Sequence, residues 1–166
     1  MFNHCPTCNS ENIQFIQEQY FNCADCDFIY YHNVASSVAA IIVFKDKILF
    51  TTRAQPPGLG LLDLPGGFVD PDETLEQALS REISEELGID IRNWQYICSQ
   101  PNIYRPNKIE YRTLDSIFFS EQKNTINIKL QKSEISKFSW LSIEQIDFDK
   151  IAFPSIKAAL KIFLER

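Results

Sequence analysis

The stretch "REISEELG", residues 81–88, sets three carboxylates, Glu82, Glu85 and Glu86, within one and a half turns of a predicted helix. At about 100° per residue, with Glu82 at zero, Glu86 lies roughly 40° to one side and Glu85 roughly 60° to the other. The apolar residues Leu75, Leu79, Ile83 and Leu87 fall between about 20° and 140° on the same wheel. The glutamates therefore stand at the edge of the core-facing stripe and partly on it, whereas a solvated face lies opposite the core. Glu82 and Glu86, four apart, repel each other, and half-buried carboxylates are costly unless something pairs them. One divalent cation relieves both problems, and Mg²⁺ takes oxygen ligands while keeping waters that phosphates can replace. A solvated glutamate-rich helix is the competing reading of the same residues.

The surrounding segment decides between them. "GFVDPDETLEQALSREISEELGI" runs from Gly67 to Ile89, with Glu73, Arg81, Glu82, Ile83, Glu85, Glu86 and Gly88 between. The segment resembles the signature box of the Nudix hydrolase family at each fixed position. "LDLPGG" (Leu62 to Gly67) is similar to the family's lead-in to the box. The resemblance covers residues 34–166 and implies an α/β fold: a Nudix-type α/β/α sandwich with a mixed sheet. It implies hydrolysis of a nucleoside diphosphate linked to another moiety, with catalytic Mg²⁺ or Mn²⁺. Carried onto this sequence, Glu82, Glu85 and Glu86 are metal ligands, and Arg81 holds them in place. Gly67 leaves room for a backbone carbonyl near the metal, and Glu73 supports the loop. The base that deprotonates the attacking water is Glu85 or Glu86, or lies outside the box, where Glu110 and Glu134 are candidates. The chemistry agrees with the residues: a metal held by hard carboxylate oxygens neutralises a diphosphate and lowers the pKa of a bound water.

Further upstream the texture changes. Residues 1–33 carry "CPTC" (Cys5, Cys8) and "CADC" (Cys23, Cys26) and no lysine or arginine. Two such pairs at this separation predict a four-cysteine structural Zn²⁺ site, a zinc ribbon, in which a closed tetrahedral set leaves no position for catalysis. Asn9 and Asp27 follow the two pairs, and both tolerate left-handed backbone. A segment this short needs the metal for stability. Its aromatic residues Tyr20, Phe21, Phe28, Tyr30 and Tyr31 are expected to pack the ribbon against the main domain or a second subunit. The absence of basic residues argues against nucleic-acid docking. The expected domains are thus 1–33, the ribbon, and 34–166, the hydrolase. A ribbon ahead of a Nudix domain is similar to the arrangement in NADH pyrophosphatases. That group carries "SQPWPFP" after the box; here "SQPNIYR" (Ser99 to Arg105) keeps the first three residues and departs at Asn102, Ile103 and Tyr104.

Three substrate-binding candidates follow. Tyr104 offers a face for base stacking, and Arg53 and Arg105 offer guanidinium forks for a phosphate or ribose. The expected partner is a small nucleoside diphosphate derivative such as ADP-ribose or NADH, with a homodimer as a possible assembly.

Composition sets the outer bounds. The 166 residues are 45% hydrophobic and 23% charged, with a net charge of −6. That balance suits a globular domain and disfavours nucleic-acid partners. No apolar run reaches the ~20 residues of a membrane span. "MFNHCPTC" lacks a basic region followed by an apolar one, so the expected location is cytoplasmic. Cys98, the fifth cysteine, is expected to be a buried free thiol.

The predicted elements run as follows. "VAAIIVF" (Val38 to Phe44) reads as a strand buried on both faces, "KDK" (Lys45 to Lys47) as a turn and "ILFTTR" (Ile48 to Arg53) as its hairpin partner. Residues 54–67 read as a Pro- and Gly-rich loop. A helix spans Thr74 to Leu87, capped by Asp72 or Thr74 and stopped at Gly88. Strands are expected over 94–98, 111–119 and 137–141, a short capped helix over 142–146 and an amphipathic helix over 154–166.

Two other functions compete: a catalytically weak Nudix-fold sensor that binds a nucleotide metabolite, and a zinc-ribbon adaptor with a passive domain. Both are disfavoured by the full set of box glutamates.

Overall fold

A computed structural model describes residues 2–17, 19–106 and 110–166. The chain divides into two units, Met1–Val34 and Ala35–Arg166.

The first unit is an antiparallel sheet of β1 (Ile13–Ile16), β2 (Tyr20–Cys23) and β3 (Ile29–Tyr31). Each CxxC pair turns in the same way. Asn9 and Asp27 are left-handed, at φ 60° and 56°. Their N–H groups donate to the Cys5 and Cys23 carbonyls at 2.9 and 3.0 Å. Phe21 is buried here, with the rings of Phe2, Phe15, Phe28 and Tyr30 around it at centroid distances of 5.5 to 6.1 Å.

The second unit is built on one mixed sheet. Its strands are β4 (Ala35–Phe44), β5 (Lys47–Arg53), β6 (Leu62–Asp63), β7 (Gly66–Phe68), β8 (Gln95–Tyr104), β9 (Tyr111–Glu121) and β10 (Ile135–Leu141). The central order is β10-β5-β4-β9-β8, with β6 on β5 and β7 on β4. Only β4 and β9 run parallel among the neighbours of that central order. The continuous apolar run of β4 serves two cores, because successive side chains point to opposite faces. Val38, Ala40 and Ile42 pack with Ala78, Leu79, Ile83 and Leu87 of α1 (Leu75–Leu87). Ala39 and Ile41 pack with Ile156, Ala159 and Leu160 of α2 (Pro154–Leu164). One helix on each face makes the α/β/α sandwich.

Lys45 and Asp46 turn the β4–β5 hairpin with positive φ at both positions, 49° and 60°. This is the twist that a two-residue hairpin loop needs. The hairpin is shorter than expected. Only Val43↔Ile48 and Phe44↔Lys47 pair before the two strands part. Beyond that point β7 takes β4 as its partner and β6 takes β5, so the segment expected as loop supplies two short strands. The strand expected to end at Cys98 instead runs to Tyr104, paired with β9 on both sides of an irregularity at Ile97. Cys98 is half-buried beside the α2 core rather than fully enclosed. Residues 143–145 form a 3₁₀ turn with the expected Ser142–Gln145 capping box.

Candidate active site

The divergence of β4 and β5 makes the site. A cavity of about 420 Å³ opens there, lined from both strands, from the β6–β7 segment and from α1. Helix α1 is aimed at it by its ends. Thr74 caps the N-terminus in a reciprocal pair with Gln77, at 3.2 and 2.8 Å. Gly88 closes the C-terminus at φ 65°. The indole N–H of Trp94 donates to Ser80 Oγ, which donates to the Ile91 carbonyl and anchors the far side of the helix.

The carboxylates of α1 are sunk to different depths. Glu86 is 7% exposed, and its Oε2 accepts from the Gly66 N–H at 2.9 Å. The Glu82 side chain is 14% exposed and that of Glu85 is 53%. Burial raises the pKa of Glu82 and raises that of Glu86 well above the usual carboxylate range, with neighbouring carboxylates adding to both.

Arg81 ties this cluster to the preceding loop. Its Nε and Nη2 grip the two Glu73 oxygens at 2.8 and 2.9 Å. Nη1 reaches Glu82 at 2.9 Å and Glu85 at 3.3 Å, and Nη2 also donates to the Phe68 carbonyl at 3.0 Å. Glu73 in turn accepts from the Asp70 N–H at 3.1 Å, closing the turn ahead of the helix. Arg81 holds the carboxyl of Glu73 below its ordinary pKa. Gly67 gives the Glu82 carboxylate its space: a Cβ there would collide with it in its present position.

Among the described residues, the metal-ligating atoms of Glu82, Glu85 and Glu86 do not converge to within 4.8 Å of one another as the cysteines do. The reason is visible in their partners. Arg81 draws Glu82 and Glu85 to itself, while Glu86 turns to Gly66. Of the glutamates, Glu82, Glu86 and Glu134 line the cavity; Glu85 and Glu110 are not on its wall.

The substrate-binding candidates separate. Arg53 is on the wall, bonded to Asp63 at 2.8 Å and to the Pro57 carbonyl at 2.6 Å, with its guanidinium 4.9 Å from the Phe153 ring centroid. Tyr104 is on the wall between Phe68 and Phe153, at centroid distances of 5.7 and 6.0 Å. Arg105 is not on the wall and is paired with Glu110 at 2.7 Å.

Sequence reasoning missed two buried acids. Asp63 holds Arg53, and burial, outweighing that arginine, lifts its pKa to about 6. Asp115 is 8% exposed on the cavity wall. The available signal was its position as an acid inside the apolar run "TLDSIFF" (Thr113 to Phe119). Among the described residues, the wall carries six carboxylates, Asp63, Asp70, Glu82, Glu86, Asp115 and Glu134, against one basic side chain, Arg53. In the other unit, the thiols of Cys5, Cys8, Cys23 and Cys26 lie within 4.8 Å of one another, a donor set that suits zinc.

The sequence profile of the NUDIX domain matches residues 34–160. A curated relative, the NAD-capped RNA hydrolase NudC of Haemophilus influenzae, is 32% identical over 143 residues, covering 85% of this chain and 52% of that protein. The chain thus spans about half the length of the curated relatives it matches. The crystal structure of a NUDIX hydrolase from Nitrosomonas europaea aligns with a TM-score of 0.69 at 26% identity, covering 98% of this chain and 90% of that one. The NUDIX domain of Shewanella oneidensis NrtR, crystallised with ADP ribose, aligns at 0.65 and 23% identity over 82% of this chain and 90% of that one, a likeness of fold.

Proposed function

The chain belongs to the NUDIX family, and from that premise we propose that it hydrolyses the diphosphate linkage of a nucleoside diphosphate derivative such as ADP-ribose or NADH. The observation that carries this reading is the charge of the cavity. Among the described residues, six carboxylates face one arginine on its wall. A diphosphate cannot enter such a site unless cations reverse the local sign. The donors fit that requirement: hard oxygens, partly desolvated, on a rigid helix.

Glu82, Glu85 and Glu86 would hold Mg²⁺ or Mn²⁺, with Glu134 in reach of the same cavity. The metal, when bound, supplies charge neutralisation and a water of lowered pKa. Arg81 keeps Glu82 and Glu85 oriented, and Glu73 keeps Arg81 oriented. Gly67 leaves Glu82 its space. The water attacks one phosphorus of the P–O–P linkage, the bridging P–O bond breaks with its electron pair leaving on the second phosphate, and two phosphomonoesters result. The proton from water passes to a carboxylate, Glu85 or Glu86 in the box or Glu134 on the cavity wall. Tyr104 and Phe153 offer ring faces for a base, and Arg53 a fork for phosphate or ribose. The four cysteines would hold a structural Zn²⁺.

A hydrolysis panel tests this: ADP-ribose, NADH, NAD, FAD, diadenosine polyphosphates, CoA and nucleoside triphosphates with Mg²⁺, products separated by chromatography. Turnover of a diphosphate compound that stops on addition of EDTA is expected. Tight binding without turnover would instead favour the sensor reading.

A further inference from the structure

We propose that Asp115 makes the inner end of the cavity a reader of hydrogen-bond donors, selecting a nucleobase that carries an exocyclic amine, as adenine does. The inference rests on the hydrolase reading for the rest of the substrate.

Strands β4 and β9 run parallel with Ser37 beside Asp115. Thr113 stands two residues before it, on the same face, and α2 brings Ser155 from across the core. Ser37 Oγ and Thr113 Oγ1 donate to Asp115 Oδ1 at 2.5 and 2.6 Å, and Ser155 Oγ donates to Oδ2 at 2.6 Å. A hydroxyl has one proton and two lone pairs; a carboxylate has about four acceptor positions and no proton. All three hydroxyl protons are therefore spent on one residue. Ser37, Thr113 and Asp115 line the cavity, and what they still offer a ligand is lone pairs only. Among the described residues, Ser155 is the hydroxyl that donates to Asp115 Oδ2, and a carboxylate oxygen has two acceptor positions.

Such a surface satisfies N–H groups and leaves a carbonyl oxygen facing acceptors, which is repulsive and unpaired. The chemistry beside it suits a base. Tyr104, Phe68 and Phe153 form an aromatic edge of the same cavity. Asn102, opposite Thr113 in the β8–β9 ladder, also lines it. Its amide both donates and accepts, so it does not discriminate. Asp115 also satisfies the buried hydroxyls of Thr113 and Ser155, so a purely structural role is the alternative that the test separates.

The test compares adenine with hypoxanthine, in which a carbonyl replaces the amine. AMP and IMP have no diphosphate to lose, so calorimetric titration onto the full chain with Mg²⁺ reads the base alone. AMP is expected to bind at least about tenfold more tightly, the factor that one net hydrogen bond supplies. In Asp115→Asn, whose amide donates, the ratio should fall to about threefold or less. A merely structural Asp115 would lower the melting temperature and leave the ratio alone. The wild-type comparison needs no variant, so it stands even if Asp115→Asn does not fold. Equal affinities in the wild type, an unchanged ratio in folded Asp115→Asn, or binding of neither nucleotide would overturn the inference. An AMP preference without hydrolysis of any diphosphate compound would overturn the hydrolase reading alone. Hydrolysis with no AMP preference would overturn this inference alone.

Discussion

The carboxylate of Glu82 occupies the space that a Cβ on Gly67 would take. The two residues are fifteen positions apart in sequence and meet because β7 lies against α1. The atom in the way is the far end of a flexible side chain, so Gly67→Ala should fold with a stability loss of about 1 kcal/mol or less. Its Glu82 carboxylate, however, must move. Turnover should fall about a hundredfold, the cost of misplacing a group by about an ångström. Paired melting and rate measurements check this.

Gly66 is the contrasting case. Its φ is 145°, and a Cβ would collide with the backbone carbonyl of Val38. Backbone cannot step aside as a side chain can. Gly66→Ala should cost at least about 3 kcal/mol, read by chemical denaturation.

Arg81 grips Glu73 with two parallel hydrogen bonds while holding Glu82 and Glu85 with its third nitrogen. A lysine carries the charge but cannot make the fork. Arg81→Lys is expected to lose about 1–2 kcal/mol of stability, given the partial exposure of the cluster, and most of the turnover. Wild-type rates in that variant would remove Arg81 from the account.

Asp63 sets a pH dependence. Burial lifts its pKa from 3.8 to about 6 in the folded protein. The folded state therefore binds this proton more tightly than the unfolded chain does. The stabilisation is fully present below the unfolded value and is lost as pH rises through the folded one. Denaturation curves between pH 3.8 and about 6 should show the wild type losing stability with rising pH relative to Asp63→Asn, with the difference level above that window.

Much of this was legible because it was local. The Thr74 cap, the Gly88 stop and the placement of glutamates at the margin of an apolar stripe are all contained in α1 and its ends. The two-core strand showed itself in the unbroken apolar run of β4, and Asn9 and Asp27 showed their left-handed turns by residue type. What escaped depends on partners distant in sequence. Strands β6 and β7 are two and three residues long, too short for a periodic signal, and exist because β4 and β5 part. Tyr104 could be read as a stacking residue, but its place in a continuous strand follows from pairing with Tyr111. Arg105 looked available as a phosphate fork, yet Glu110, also outside the cavity, takes it. Asp115 was missed because what distinguishes it, the hydroxyls of Ser37 and Ser155, lies 78 and 40 residues away.

The four thiols of the first unit set a further expectation. Burial raises the Cys5 thiol, but the N–H groups of Cys8 and Thr7 and the side chains of Cys26 and Cys8 together outweigh it and bring the value to about 6. Elemental analysis should find about one zinc per chain. Stripping it should abolish amide-exchange protection in β1 to β3 while β4 to β10 keep theirs. Full protection of β1 to β3 in metal-free protein would refute a structural zinc.

The most direct test of the central claim is the rate of AMP release from ADP-ribose with Mg²⁺ by wild-type protein and by Glu85→Gln. Glu85 is half exposed, so its amide should leave the fold intact. The account predicts turnover in the wild type and a loss of at least about a hundredfold in the variant, with an unchanged melting temperature. Near wild-type release by Glu85→Gln would contradict the role given to the glutamate cluster of α1.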